Sequence, residues 1–166
     1  PCAAPTKAAS RLEWDKSYAR QLLKDYKISG SPNFGIFETE GEAHSFIDYL
    51  EGQVTVKPAG LTGGKGVKVS GDHFHEIEEK VTYAESLIRK DGSVLIEEKL
   101  VGEEFTFQCF SDGSRIAVMP PVQDHKRAYE NDAGPNTGGM GSYSTGPKLP
   151  FMEESDLEEA KKILQG

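Results

Sequence analysis

Four glycines, three lysines and a proline crowd into VKPAGLTGGKGVKV, residues 56–69. Glycines this dense weaken any helix or strand interior, and proline removes a backbone donor. The segment must therefore be a loop, and its flanks say what it joins. VTVKP at 54–58 alternates, so Val54 and Val56 face one side of a strand while Thr55 and Lys57 face the other. VKV at 67–69 resumes the pattern. A loop between two strands is not a Rossmann turn, which must run from a strand into a helix. It is not a Walker loop either, because Gly64-Lys65 is followed by Gly66 and Ala59 stands five before Gly64. Two readings remain. Backbone amides between Lys57 and Lys65, with Lys68 beyond, can form an anion cradle. The same glycines also suit an exposed turn.

The other elements follow from period and punctuation. Ser10 and Glu13 read as a capping box opening a helix with Tyr18, Ala19, Leu22, Leu23 and Tyr26 on one face, ended by Gly30 and Pro32. NFGIF at 33–37 reads as a strand. Thr39 and Glu42 open a second helix with Ala43, Phe46, Ile47 and Leu50 as its stripe. A third helix carries Phe74, Ile77, Val81, Ala84 and Ile88 and stops near Asp91-Gly92. VLIEEKL at 94–100 reads as a strand. FTFQCF at 105–110 and RIAVM at 115–119 form a hairpin around Asp112-Gly113. Residues 120–150 read as a long irregular stretch, and loops of that length are usually functional or disordered. A last helix begins at Ser155, capped to Glu158, with Leu157, Ala160 and Leu164 as its stripe. This order predicts an α+β fold with a mainly antiparallel sheet and flanking helices.

The 166 residues are enough for one domain or two small ones and for a core without disulfides. Cys2 and Cys109 give no framework. No apolar run approaches the roughly 20 residues of a membrane helix. The first residues, PCAAPTK, lack a signal-peptide core. A cytoplasmic protein with reduced thiols is the expectation, with no membrane partner. A net charge of −8 disfavours broad nucleic-acid binding. A small phosphorylated ligand needs only a local cluster of lysines and amides.

Two further stretches carry polar chemistry. Glu97 and Glu98 are consecutive on a strand and face opposite sides. An inward carboxylate there can read a purine edge; a charged edge strand gives the same pattern. QDHKRAYENDAGPNTGGMGSYS at 123–144 packs Asp124, His125, Lys126 and Arg127 together ahead of a glycine-rich segment. That density of polar groups on a loop is the usual form of a substrate-binding element. The histidines His44, His73, His75 and His125 lack the partners for a metal site, and Cys109 reads as core rather than nucleophile.

Taken together, these stretches resemble the ATP-grasp superfamily, and within it the phosphoribosylamine–glycine ligase (glycinamide ribonucleotide synthetase) family. QDHKR followed by GPNTGGMG carries the resemblance most specifically. VKPAGLTGGKGV is similar to that family's phosphate flap, and PTKAASRLE to the segment leading into its ATP-binding region. The resemblance implies ATP-dependent joining of glycine to 5-phosphoribosylamine through a glycyl phosphate, a step of purine synthesis, with ATP and Mg2+ (or Mn2+) as cofactors. It implies that Lys16 and Lys57 contact phosphate and that Gly63, Gly64, Lys65 and Gly66 belong to the flap. Glu97 matches the first acid of E-x-x-L, near the adenine amino group, with the backbone of Lys99 and Leu100 against the ring. Glu104 resembles the ribose-binding acid. Asp124, His125, Lys126, Arg127, Asn136, Thr137, Gly138, Gly139 and Met140 fall in the substrate loop. No catalytic residue and no metal ligand is assigned.

The sequence departs from the family at Pro58 and Ala59, where Ala-Asp is common. The family's N-terminal domain, its later magnesium-binding strand and its RFGDPE signature have no counterpart here. The expectation is a central fragment, inactive alone, that works with the remaining domains of a parent enzyme. Residues 1–100 would be the small ATP-grasp subdomain (lid) with its lead-in helix. Residues 101–166 would start the larger, incomplete one. The alternatives are another ATP-grasp carboxylate–amine ligase and a non-catalytic nucleotide-binding module.

Overall fold

The computed structural model describes residues 4–60, 66–130, 133–137, 139 and 141–166, apart from the side chains of Pro135 and Asn136. The chain divides into two compact units, Pro1–Leu100 and Val101–Gly166.

The first unit is built on one antiparallel sheet. β1 (Phe34–Phe37), β2 (Val54–Pro58), β3 (Lys68–Val69) and β4 (Val94–Glu98) lie in the order β1-β4-β2-β3. β4 is thus a central strand although it comes last in sequence. Its register sets Glu97 opposite Thr55 and Leu95 opposite Lys57. Paired residues share a face, so Thr55, Lys57, Leu95 and Glu97 line one side and Val54, Val56, Val94 and Ile96 the other. The apolar side is covered by α3 (Glu40–Tyr49) and α4 (Ile77–Asp91). Ala43, Ile47, Ala84 and Leu87 from these helices join Val54, Val56, Val94 and Ile96 in a buried core, with Phe74 from the turn before α4. Each of the larger side chains there, Val, Ile, Leu and Phe, stabilises the fold by roughly 1.5–3 kcal/mol. The alternation expected of VTVKP is borne out.

Several local expectations change. The single opening helix is two, α1 (Arg11–Trp14) and α2 (Lys16–Asp25). Ser10 has helical φ and ψ and donates its hydroxyl to the Lys7 carbonyl, so it cannot cap. Asp15, extended at φ −115°, caps α2 instead by accepting from the Tyr18 N–H at 2.9 Å. Tyr26, at 72% exposure, lies off any core. Thr39 makes no backbone cap; its hydroxyl donates to the Glu42 carboxylate. On α4 the buried positions are Lys80, Ala84 and Leu87, while Ile77 is 38% exposed. Glu76 and Glu79 form its capping box, so Phe74 precedes the helix, and Gly92 ends it in the left-handed region.

The second unit has no continuous sheet among its described residues. β5 (Cys109–Ser111) and β6 (Ile116–Val118) form the expected hairpin. Asp112 Oδ1 accepts from the Ser114 and Arg115 N–H groups, both at 2.8 Å, and Gly113 supplies the positive φ. Of FTFQCF only Cys109 and Phe110 are in β5, and Thr106 makes an isolated bridge to Val122. Cys109 is half-buried rather than core. The stretch expected to be irregular is ordered by two small ladders. β7 (Gln123–Asp124) pairs with β10 (Ser142–Tyr143), and β8 (Arg127–Tyr129) pairs with β9 (Ala133–Asn136). α5 (Glu154–Gln165) is capped by Glu153 and Asp156, not Ser155 and Glu158. Leu157 packs with Leu149 and Met152 in a small core flanked by Phe105, Phe107 and Tyr143.

Candidate functional site

Polar groups gather in each unit separately. In the first they sit on the face of the sheet opposite the core of α3 and α4. Lys57 and Glu97 are diagonal neighbours there, within reach of a long side chain. The Lys57 ammonium donates to Glu97 Oε2 at 2.6 Å. From α2, Arg20 donates Nε to Glu97 Oε1 at 2.6 Å and Nη2 to Oε2 at 3.2 Å. Glu97 is only 3% exposed. Burial pushes its carboxyl upward, but the hydrogen bonds and charges of Arg20 and Lys57 outweigh that and hold it below the usual carboxylate range. Glu98, on the other side, accepts from the Asn33 side-chain amide.

Lys16 opens α2 beside the glycine-rich segment. Its backbone N–H donates to the Ala59 carbonyl at 3.3 Å and its ammonium to the Gly60 carbonyl at 2.7 Å. Gly66, at the other end, accepts from the Tyr83 hydroxyl at 2.8 Å. Gly63, Gly64 and Lys65 lie outside the described residues. The Lys99 N–H is used on the Gln53 carbonyl and its ammonium on the Ser70 carbonyl, at 2.9 and 2.7 Å. Leu100 is 64% exposed.

In the second unit a cleft of about 890 Å³ is lined by the expected acids and bases. Glu104, Asp124, His125, Lys126, Arg127 and Thr137 all border it. Lys126 lies 3.0 Å from Asp124 Oδ2 and 3.8 Å from Glu104 Oε2. The Lys126 hydrogen bond holds Asp124 below the usual carboxylate range against a small effect of burial. Thr137 closes the loop by donating its N–H to the Lys126 carbonyl and its hydroxyl to the His125 carbonyl. Gly139 donates back to the Thr137 hydroxyl oxygen. Arg127 reaches the Gly134 carbonyl at 3.0 Å. Gly138, Met140 and the Asn136 side chain lie outside the described residues.

Sequence reasoning missed Arg20, Gln123, Tyr143 and Tyr83. The Gln123 amide donates to Glu103 and to the Glu104 carbonyl and accepts from the Tyr143 hydroxyl. Tyr143 in turn stacks on His125 with centroids 6.2 Å apart. Gln123 was visible as the first letter of QDHKR. Arg20 carries no local signal, because its partner lies 77 residues away.

Residues 14–166 match the family described as phosphoribosylglycinamide synthetase, ATP-grasp (A) domain. The chain belongs to this family. Among curated relatives of this synthetase family, phosphoribosylamine–glycine ligase of Methanosarcina acetivorans is 54% identical, over 99% of this chain and 37% of its own length. Its counterpart in Pyrococcus furiosus is 52% identical, over 99% and 38%. The crystal structure of phosphoribosylamine–glycine ligase from Thermotoga maritima superposes with a TM-score of 0.73 at 30% identity, covering 98% of this chain and 42% of that one. D-alanyl-alanine synthetase A from Vibrio cholerae shares the fold alone, with a TM-score of 0.65 at 12% identity over 95% of this chain and 46% of that one. The chain thus spans less than half the length of each of these proteins. The expected family and its α+β, ATP-grasp fold are borne out.

Proposed function

We propose that this chain is the ATP-binding part of a phosphoribosylamine–glycine ligase, a carbon–nitrogen ligase of purine biosynthesis. The reaction joins the amine of 5-phosphoribosylamine to glycine, giving glycinamide ribonucleotide, ADP and phosphate. The observation that carries the reading is the joined Lys57, Glu97 and Arg20 on the sheet face opposite the core, in a chain of this family.

The residues fit a nucleotide. Lys57 presents an ammonium with three N–H donors on this face, which a phosphate oxygen can draw away from Glu97. Lys16, at the edge of the glycine-rich segment, adds a second ammonium. The exposed Leu100 and the acceptor Glu97 suit a purine edge; the Lys99 N–H, already bonded to Gln53, leaves only its carbonyl for that purpose. In this reading Gly63, Gly64, Lys65 and Gly66 supply flap amides and Glu104 a ribose contact. ATP, when bound, supplies the phosphoryl group that activates the glycine carboxylate. The chain's own work is to orient and neutralise charge, which is the main protein contribution to such transfers. Asp124, His125, Lys126, Arg127 and the loop from Asn136 to Met140 would recognise the carboxylate, hydroxyl and phosphate groups of glycine and phosphoribosylamine.

Magnesium is different. Among the described residues no three His, Cys, Asp or Glu side chains are gathered to hold a metal ion. Its protein ligands are proposed to lie elsewhere in the full-length protein, as part of the remaining domains. We place residues 1–100 as the lid subdomain with its lead-in helix and 101–166 as the start of the larger one. A cytoplasmic location fits the biosynthetic role; among the described residues no helix is long and apolar enough to cross a membrane.

The test is a product assay on the full-length protein with ATP, magnesium, glycine and freshly made phosphoribosylamine. Glycinamide ribonucleotide formed only when all four are present supports the reading. ATP turnover with a different amine or carboxylate, and none with this pair, overturns it. The chain alone is expected to make no product.

A further inference from the structure

We propose that Arg20 is a positioning residue of the nucleotide site, which keeps the Glu97 carboxylate oriented and neutralised when Lys57 leaves it for a phosphate oxygen. The inference rests on the reading of this face as an ATP site.

The argument starts from one conflict in the geometry. Lys57 is expected to serve a phosphate, yet its ammonium sits 2.6 Å from Glu97 Oε2. Glu97 is almost fully buried on a central strand. If Lys57 were its sole counter-charge, each nucleotide would have to pull the lysine from a buried carboxylate. A buried charge left without a partner costs several kcal/mol. The site would then oppose its own ligand.

Arg20 removes the conflict. It approaches from α2 and grips both carboxylate oxygens through Nε and Nη2. A two-point guanidinium grip fixes the plane of the carboxylate as well as its charge. Arg20 stays with Glu97 while Lys57 swings to another acceptor. The carboxylate then remains an ionised, fixed hydrogen-bond acceptor, as needed to receive an exocyclic amino group of a purine. Among the described residues no other charged side chain is bonded to Glu97. Across the ladder Glu97 faces Phe34 on β1 and Thr55 on β2. Lys24, also on α2, lies over the Phe34 ring. The charged groups in contact with Glu97 among the described residues are thus Arg20 from α2 and Lys57 from β2, with Lys24 held over the neighbouring Phe34 ring.

The helix that carries Arg20 is itself tied to the glycine-rich segment through Lys16 and the Ala59 and Gly60 carbonyls. α2 thus brings a phosphate-side lysine and the Glu97 clamp onto one rigid element, one turn apart.

The experiment compares Arg20→Met and Arg20→Lys with the unaltered full-length protein, measuring ATP KM, kcat and thermal stability between about pH 6 and 8.5. Arg20→Met keeps the length and removes the charge. Its KM for ATP is expected to rise about tenfold, with kcat within about twofold, the size of one strong charge-assisted contact. Its KM should also climb as pH falls, because Glu97 now takes up a proton whenever Lys57 is engaged. The unaltered protein should stay flat over the same range. Arg20→Lys should restore the flat profile while recovering only part of the affinity, since an ammonium cannot grip both oxygens. A purely structural role would lower Tm and the active fraction without giving KM a new pH dependence. That result, or an ATP KM unchanged in Arg20→Met, overturns the proposal. If Arg20→Met does not fold, Arg20→Lys decides: full affinity equal to the unaltered protein overturns it. Absence of ATP binding in the unaltered protein would instead overturn the nucleotide reading itself.

Discussion

Glu97 and Asp124 each have a lysine within hydrogen-bond distance, at 2.6 and 3.0 Å, yet the two pairs do different work. Glu97 sits on a central strand backed by a continuous core, with water excluded. Asp124 sits on a two-residue strand with a half-exposed lysine beside it. Solvent screens the second pair, so it contributes little to stability. Around the first, both partners must be matched or a charge is left buried. The first unit holds its polar groups on a rigid frame. The second holds them on short ladders over a core of Leu149, Met152 and Leu157.

The largest expected effect tests the difference in cores. Ile96→Ala should destabilise the first unit by about 4 kcal/mol, because its neighbours in the sheet and helices cannot collapse into the space. Leu149→Ala should cost about 2–3 kcal/mol in the smaller, looser cluster. Amide hydrogen exchange read separately in β2, β4 and α5 would show it, and equal losses would break the comparison.

Next come the two lysines. Lys57→Ala is expected to raise ATP KM by more than tenfold and to cost about 1–2 kcal/mol of stability, since Arg20 still matches Glu97. The bond to Glu97 gives this lysine a structural share as well as a binding one. Lys126→Ala should change stability by less than about 0.5 kcal/mol. It should raise KM for glycine or phosphoribosylamine rather than for ATP. Steady-state kinetics with each substrate varied in turn separates the two, and an ATP-specific defect in Lys126→Ala would reverse the assignment.

Acid sharpens the same contrast. Folded Glu97 is held below its ordinary value, so the folded state binds fewer protons than the unfolded one near that value. Its stabilisation is present above the unfolded value, about pH 4.3, and is lost as pH falls through the folded one. Asp124 has the same sign in a more exposed setting. Replacing Glu97 with Gln should therefore flatten the acid limb of the stability curve more than Asp124→Asn does, as followed by denaturant midpoints between about pH 3 and 6.

The smallest effects concern caps. Asp15→Ala removes the bond to the Tyr18 N–H and should cost about 1 kcal/mol. It should also raise ATP KM slightly by loosening the helix that carries Lys16 and Arg20. Asp112→Ala, in the exposed hairpin turn of the second unit, should lower Tm only marginally and leave every KM unchanged. A kinetic effect there would mean that the hairpin belongs to the site.

Much of this was written locally. The period-two run at 54–58, the glycines after it, the Asp112-Gly113 turn and QDHKR with its glycine-rich sequel are short-range signals, and each fell where expected or led to the right family. Helix starts were less legible, because a capping pattern such as Ser10 and Glu13 works only if the backbone before it is extended, and residues 6–10 already turn. What the sequence by itself determined was which residues could face a ligand: Lys57 on the polar side of its strand, and one of Glu97 and Glu98 on another, with the family resemblance pointing to Glu97. The tertiary structure alone decided that they meet. That depends on β4 entering between β1 and β2 in a register that sets Leu95 opposite Lys57, and on α2 laying Arg20 over the result. Contacts across 40 and 77 residues leave no trace in local periodicity, because they arise from the packing of whole elements rather than from the preferences of the residues that touch.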